Sequence, residues 1–430
     1  MKFDPKIMQA VEQLNYRVTV GDVATRAGLE ISLAQRGLLT LVSETNGHLQ
    51  VSERGEIAYL FPRNLRTILR NKSLRLRLQE WGTRIWQVLF YLIRISFGIF
   101  LVISIILIFV TIALIAMSSS RGGNSNSRRH GGGMPLFLPH FWFGSFFNRN
   151  PHRQVQNRSA KQKHHQDRAA EQLNFFEAVF SFLFGDGNPN ANLEERRWYN
   201  IGSVIHNHGG AVVAEQIAPH LDISPTQAID EAYMLPVLIR FDGRPEVSPT
   251  GDIVYRFPAL QTTAANKQEN SLAAYLREFF WNFSRVGTEQ TLLVVGLGFL
   301  NLIGALILRS LLSDGAIAVQ LGGLVAFVQS IFWLLLGYGI GFLGVPLVRY
   351  FWIQRRNRQI ERRNQQRQKY ALALNRADAN LQHKIQFAQQ FAIQSVVTQE
   401  DLAYTSETEL LEQEIERLDR TDSDSRHLLS

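Results

Sequence analysis

Residues 86–117 read WQVLFYLIRISFGIFLVISIILIFVTIALIAM. One charge, Arg94, interrupts the run, and none lies between Ile95 and Met117. A helix needs roughly 20 apolar residues to cross hydrocarbon, so this stretch alone points to an integral membrane protein and predicts a first transmembrane helix over 86–117. Arg94 stands where a long side chain can snorkel to the headgroups, and Trp81, Trp86 and Tyr91 supply the aromatic belt expected at that depth.

Outward from this run the charge is unevenly placed. The net +8 collects in three stretches: Arg63, Arg66, Arg70, Lys72, Arg75, Arg77 and Arg84 before the run; Arg121 to Arg168 after it; and Arg349 to Lys369. The first two flank the run and the third begins as another apolar run ends, so the expected partner is a lipid bilayer with anionic headgroups, and nucleic acid is disfavoured. The chain contains no cysteine, which excludes disulfides, thiolate metal sites and a cysteine nucleophile. The opening MKFDPKIMQAVEQLNYRV carries Asp4 and Glu12 and no apolar h-region, and so reads as neither a secretory signal nor a transit peptide.

Two further apolar runs, 291–312 and 316–352, are separated by Ser313, Asp314 and Gly315 and predict a helical hairpin. The second is too long for one straight span and reads as one tilted helix with a broken or interfacial end near Gly337, Gly339, Gly341, Gly344 and Pro346. Gly337-Tyr338-Gly339 is a thin likeness to a channel filter, and close helix packing at Gly337 and Gly341 accounts for it better. Asn301, Gln329 and Ser330 are intramembrane polar groups, costly unless paired, and are expected to hydrogen-bond across the hairpin. Basic flanks put both ends and the linker on one side, which three crossings do not allow. The short aromatic stretches 134–147 and 173–184 are then interfacial or re-entrant, or the first run does not cross.

Comparing the polar segments reveals an internal repeat: VSERGEIAYLFP (51–62) and VSPTGDIVYRFP (247–258), with Leu29-Glu30-Ile31-Ser32 matching Leu221-Asp222-Ile223-Ser224. Each copy reads helix, short helix, turn, longer helix, then two strands. In the first these are Lys6–Leu14, Val20–Arg26, Leu33–Glu44 with Ser32 as N-cap, and strands at 48–52 and 56–61; in the second, Arg197–Asn207, Val212–Pro219, Pro225–Leu238 and a hairpin from Ile239 to Phe257. This is a winged-helix-like (α+β) pattern. The expected fold class is thus a mainly α membrane protein with two such domains and a C-terminal helical tail. The wing residues Tyr59, Phe61, Tyr255 and Phe257 are expected to give aromatic contact area between the copies, or to a shared partner.

A DNA reader needs Arg and Lys around its third helix, because phosphate neutralisation supplies most of the affinity. Here Arg26, Gln35 and Arg36, with the basic stretch from Arg63, are the candidate contacts of the first copy, and Asp230 and Glu231 stand in the second. His164-His165 and His206-x-His208 lack the carboxylates or cysteines of a metal site, no catalytic constellation appears, and no cofactor is expected.

The resulting order is a winged-helix-like domain at 1–62, a basic juxtamembrane segment at 63–85, a transmembrane helix at 86–117, and a Gly/Arg-rich linker with an aromatic patch at 118–170. A short apolar interfacial segment follows at 171–190, then the second winged-helix-like domain at 193–258, helices at 291–312 and 316–352, and a tail at 353–430. Near-heptad spacing over 371–396 and an acidic amphipathic pattern over 402–418 make that tail a helical arm.

GLEISLAQRGLL, HLQVSERGEIAYLFPRNLR, LRLRLQEWGTRIWQVLFYLIRISFGIF, EAVFSFLFGDGNPNANLEERRW and GAVVAEQIAP together resemble a family of cyanobacterial and chloroplast membrane proteins. Plant relatives in that family have carried an iron-sulfur cluster biosynthesis label, and a chain without cysteine implies that any such role is indirect. The resemblance implies a thylakoid or cytoplasmic membrane. The function expected from residues and resemblance together is a non-enzymatic, membrane-anchored interaction or assembly factor serving a membrane protein complex. The alternatives are a membrane-tethered winged-helix transcription regulator, and a small transporter or channel using Asn301 and Gln329.

Overall fold

The computed structural model describes residues 4–72, 74–121, 175–224, 230–264, 272–313, 316–398 and 401–407. The linker 122–174, with its histidines and aromatic patch, and the acidic stretch beyond 407 lie outside them. The described chain is mainly helical with small sheets, and falls into two compact units. One draws on Met1–Trp81, Pro189–Phe280 and Arg358–Ser430, the other on Gly82–Asn188 and Trp281–Asn357.

In chain order the elements begin α1 (Pro5–Gln13), β1 (Arg17–Val18), α2 (Val20–Ala27), α3 (Ile31–Thr45), β2 (His48–Ser52), β3 (Ile57–Leu60), α4 (Leu65–Lys72) and α5 (Leu74–Arg121). Next come α6 (Phe175–Phe184), α7 (Leu193–Asn207), β4 (Ala211–Val212), α8 (Ala214–Ile217), α9 (Leu235–Phe241), β5 (Arg244–Val247), β6 (Ile253–Arg256) and β7 (Thr262–Thr263). The chain continues with α10 (Thr288–Leu312), α11 (Ala316–Leu321), α12 (Gly323–Ser330), α13 (Phe332–Asn375), α14 (Ala379–Gln389), β8 (Ser395–Val396) and β9 (Leu402–Thr405).

In the first unit, segments 5–61 and 193–257 are built by the same local rules. Asn15 and Tyr16, and likewise Gly209 and Gly210, take positive φ to turn the chain into β1 and β4. The amide of Thr19 donates to Asp22 Oδ2 at 3.0 Å, and that of Val213 to Gln216 Oε1 at 2.9 Å, so each following helix starts on the same reach-back bond. Asn46 and Asp242, both left-handed, end α3 and α9. Gly47 and Gly243 follow because a Cβ there would meet Phe61 Cδ1 at 3.0 Å and Phe257 Cε1 at 2.4 Å. The hairpins share their register: Val51 faces Ile57 and Val247 faces Ile253.

The cores are separate. Val11, Ala24, Leu38, Leu41, Tyr59 and Phe61 are buried in one, and Ile201, Ile217, Val237, Phe241, Tyr255 and Phe257 in the other. Each such side chain contributes on the order of 1.5–3 kcal/mol by leaving water. The wing aromatics expected to make contacts between copies are therefore core residues. The two segments meet through helices instead. Gly28, the left-handed cap of α2, abuts Trp198, Gly202 of α7 lies against Thr25, and Lys6 pairs with Glu195 at 2.8 Å.

Element ends differ from the sequence expectation where a cap or a φ value decides them. Ser32 is not the cap of α3: Glu30 holds that position, and Ser32 Oγ donates to Glu30 Oε1. Pro225–Ile229 lies outside the described residues, and Ile239 to Phe241 are helix, so the second hairpin begins only at Arg244. Of the tail expected to be helical, α13 as far as Asn375 and α14 are helices, and the acidic stretch beyond 407 lies outside the described residues. Helix α14 lays Ala388 against Val213 and Val254, β8 pairs in parallel with β7, and β9 extends the first sheet to the order β1-β3-β2-β9. The second sheet, β4-β6-β5, keeps an open edge.

In the second unit, three helices are long and apolar enough to cross a membrane: the stretch 84–118 of α5, α10, and α13. Helix α5 runs unbroken from the basic segment into the apolar run, so the boundary expected at residue 86 is not an element boundary. The third run breaks at the end opposite to the one expected. Gly322 and Gly323 take positive φ and Ile331 ends α12, whereas α13 continues through Gly337, Gly341 and Pro346. Gly337 and Gly341 face open space; Gly339 is the one near a neighbour, at 3.4 Å from Asn301 Nδ2 for a Cβ. The ten residues of α6 span about 15 Å at 1.5 Å per residue, half a hydrocarbon core. Ala178, Val179, Phe182 and Leu183 of α6 are buried against Leu101, Leu297 and Phe342, and Gly98 makes room for Phe176.

Candidate functional site

The surface carrying the sequence candidates is the outer side of α3 and its hairpin. Arg26 does not face solvent freely: its Nε donates to Gln13 Oε1 at 2.7 Å and its guanidinium lies over the Tyr199 ring. Arg36 hydrogen-bonds the carbonyl of Ser32 one turn back. Gln35 and Arg36 are exposed, and so are Leu33, Leu39 and Ile57 beside them in the fold. Arg36 and, at the hairpin tip, Arg54 are the exposed cations among these apolar side chains, a sparse phosphate surface.

The corresponding surface of the second segment is more apolar. Leu235 and Ile239, one turn apart on α9, are 59% and 65% exposed, and the cross-strand pair Val247 and Ile253 is exposed as well. Val247 and Ile253 share a hairpin face with Tyr255, whose hydroxyl donates to Glu231 Oε2 near the start of this helix. Arg240 points inward, donating to the carbonyl of Gly28 and lying 4.3 Å over Trp198. Behind Glu231, the buried Lys384 of α14 donates to Glu231 Oε1 at 2.7 Å and to Glu215 at 3.0 Å. Burial, the hydrogen bond to Glu231 and its negative charge all push the Tyr255 hydroxyl up, so it stays a donor.

A buried ion cluster holds the chain segment ahead of α10. Arg367, 1% exposed, donates to Glu278 Oε1 at 2.9 Å, to Asp222 Oδ1 at 2.6 Å and to the carbonyl of Leu276. Arg363 takes both oxygens of Glu278 in a bidentate pair. Asn364 and Asn190 each accept from a backbone amide and donate to the carbonyl of the same residue, Glu278 and Phe279 respectively. Burial raises the Glu278 carboxyl, but the Arg363 hydrogen bonds and the charges of Arg367 and Arg363 outweigh it and hold the group below its ordinary value. His220, buried and near Arg367, is pushed down to about 4 by burial first and by that charge second. Sequence reasoning missed this cluster because Arg363 and Arg367 sit in a run of cations that reads as a headgroup flank. Arg355, Arg356, Arg358 and Arg362 remain exposed.

The polar residues of the long apolar runs do not meet across the expected hairpin. Asn301 is fully buried and accepts from Ser104 Oγ of α5 at 2.8 Å; Gln329 and Ser330 are exposed, and Ser330 Oγ donates to the carbonyl of Phe327. Arg349 caps α6, donating to the carbonyls of Ser181, Phe182 and Phe283, which places a cation at a helix C-terminus. Arg94, expected to snorkel to the interface, stands 3.8 Å from Asp186 with its side chain 31% exposed.

Among the described residues no three His, Asp or Glu side chains lie close enough to hold a metal ion. His208 Nδ1 faces the carbonyl of Val204 at 2.7 Å. No protein-family model matches the chain, and no solved structure matches it. The chain is similar to an uncharacterised chloroplastic protein of Arabidopsis thaliana, with 36% identity across 96% of this chain and 80% of that protein. At that identity and coverage, the chain belongs to the same family as this chloroplastic plant protein.

Proposed function

We propose that the chain is a non-enzymatic interaction or assembly factor anchored in a photosynthetic membrane, thylakoid or cytoplasmic, by α5, α10 and α13. Segments 1–62 and 193–258 are winged-helix-like domains derived from one duplicated unit. Their matched caps, registers and turn residues support that reading. One observation carries the functional part: the outer face of α9 and its hairpin presents Leu235, Ile239, Val247 and Ile253 to solvent, while Arg240 is turned into the unit and the exposed Arg26 is tied to Gln13 and the Tyr199 ring. Exposed apolar clusters of this kind favour protein contact, whereas a nucleic-acid surface needs free cations.

The test is affinity capture of the full-length protein from solubilised native membranes, beside a Leu235→Asp/Ile239→Asp variant. A membrane complex or assembly intermediate retained by the wild type and lost by the variant is the expected result. If neither captures one, the reading fails. Salt-dependent DNA binding by the full-length protein, lost in Gln35→Ala/Arg36→Ala, would favour the tethered regulator instead.

A further inference from the structure

We propose that Arg94 and the phenylalanines around it form a binding site for the anionic headgroup of a membrane lipid. The inference rests on the membrane-anchored reading above.

Arg349 and Arg94 both bring a guanidinium to the end of α6, and they differ in one respect. Arg349 commits its guanidinium to three carbonyls. Arg94 is less committed. Its Nη2 is 3.8 Å from Asp186 Oδ1, an ion pair beyond hydrogen-bond range, and among the described residues its buried Nε has no hydrogen-bond partner. Asp186 is held where it is, accepting from Ser181 Oγ at 2.9 Å and from the amide of Arg285 at 2.8 Å. The side chain of Arg94 is 31% exposed, so its remaining N–H groups have an opening.

The surroundings of that opening select the ligand. Arg94 lies over Phe180, and Phe90, Phe97, Phe180 and Phe184 form a chain of rings with centroids 4.8 to 6.1 Å apart. Phe90, Tyr91 and Phe184 are exposed. On a helix that crosses a bilayer these exposed rings meet acyl chains and glycerol, and the acceptor available to a guanidinium at the edge of hydrocarbon is the headgroup phosphate or sulfonate. A planar guanidinium binds such a group through two parallel bonds. Arg349, facing carbonyls, adds positive charge behind it.

The test is native mass spectrometry of the full-length protein in detergent, titrated with phosphatidylglycerol or with phosphatidylcholine. The wild type should prefer phosphatidylglycerol, and Arg94→Gln should bind it about tenfold more weakly, the loss of one charge-assisted contact, with phosphatidylcholine unchanged. Asp186→Asn keeps the acceptor for Ser181 and Arg285 but removes the competing charge, so it should bind phosphatidylglycerol more tightly; a purely packing role for Arg94 gives no gain. Equal affinity for the two lipids, unchanged binding by Arg94→Gln, or no gain in Asp186→Asn overturns the site. Competition by millimolar inorganic phosphate would also overturn it, in favour of a free-anion site. Release of the wild type from membranes by alkaline carbonate would instead defeat the membrane reading on which the site depends.

Discussion

Arg367 donates to Glu278 at 2.9 Å with both side chains almost fully withdrawn from solvent, 1% and 4% exposed. Taking Arg367 away leaves Glu278 only the partly exposed Arg363, a loss approaching the about 3–5 kcal/mol of a broken buried pair, while replacing both partners by apolar groups costs far less. Arg367→Met should therefore lower the melting temperature of the detergent-solubilised protein markedly. Glu278→Met combined with Arg367→Met should recover part of the loss. Equal melting temperatures for the single variant and the wild type would contradict the cluster.

Acid should loosen the same unit in a defined window. His220 titrates near its ordinary value of about 6.5 when unfolded and near about 4 when folded. The unfolded chain thus binds more protons between those values, and stability falls as pH drops through them. From about 4.5 downward the depressed Glu278 carboxyl begins to lose its contribution as well. Each pH unit separating the folded from the unfolded titration corresponds to about 1.4 kcal/mol. Melting temperature followed from pH 7 to 4 should therefore decline by the equivalent of a few kcal/mol. His220→Phe should flatten the upper part of that slope; an unchanged slope would rule out the assignment.

Glycines in the apolar helices should sort by what a side chain would meet. At Gly98 a Cβ comes to 2.5 Å of Phe176, and at Gly298 to 2.6 Å of Phe342, so Gly98→Val and Gly298→Val should each destabilise by about 1–3 kcal/mol. Gly337 has nothing within 4 Å, and Gly337→Ala should be neutral or stabilising by about 0.5–1 kcal/mol. Thermal aggregation in detergent distinguishes these outcomes.

Because both polar segments contribute to one compact unit and touch through α2 and α7, they must occupy one side of any membrane. Single cysteines in this cysteine-free chain can report that. Ser52 and Ser248 are matched wing positions but buried, whereas Arg54 and Thr250 are exposed. Arg54→Cys and Thr250→Cys should label with an impermeant maleimide from the same face of sealed vesicles. Labelling from opposite faces would refute the packing and require the two segments to part.

The three apolar runs are legible in the sequence because hydropathy over a span depends on composition alone. So are both hairpins, although β3 and β6 are covered on both faces, with Ala58 beside Tyr59 and Val254 beside Tyr255 buried. What is not legible depends on backbone angle or on distant partners. Gly337, Gly341 and Pro346 look like a break, yet the turn falls at Gly322 and Gly323, where φ is positive. Arg367 looks like its neighbours Arg362 and Lys369, and only the fold brings Glu278 and Asp222 to it. Asn301 finds its partner, Ser104, on a helix far away in the sequence. For the tail, heptad-like spacing over 371–396 suggests an arm, but Lys384 and Ala388 lie on one side of α14, which seats them against the second segment.

The strand β9 closes the first sheet with residues made after every long apolar helix. Leu49 gives its outward edge to Ser406, and the matching position on the other sheet is Pro245, which has no amide hydrogen to offer an incoming strand. A ribosome translating this chain therefore delivers the N-terminal domain with one raw edge, and that edge stays uncapped until α5, α10 and α13 have all been synthesised. Completion of the sheet therefore records that all three long apolar helices have been made.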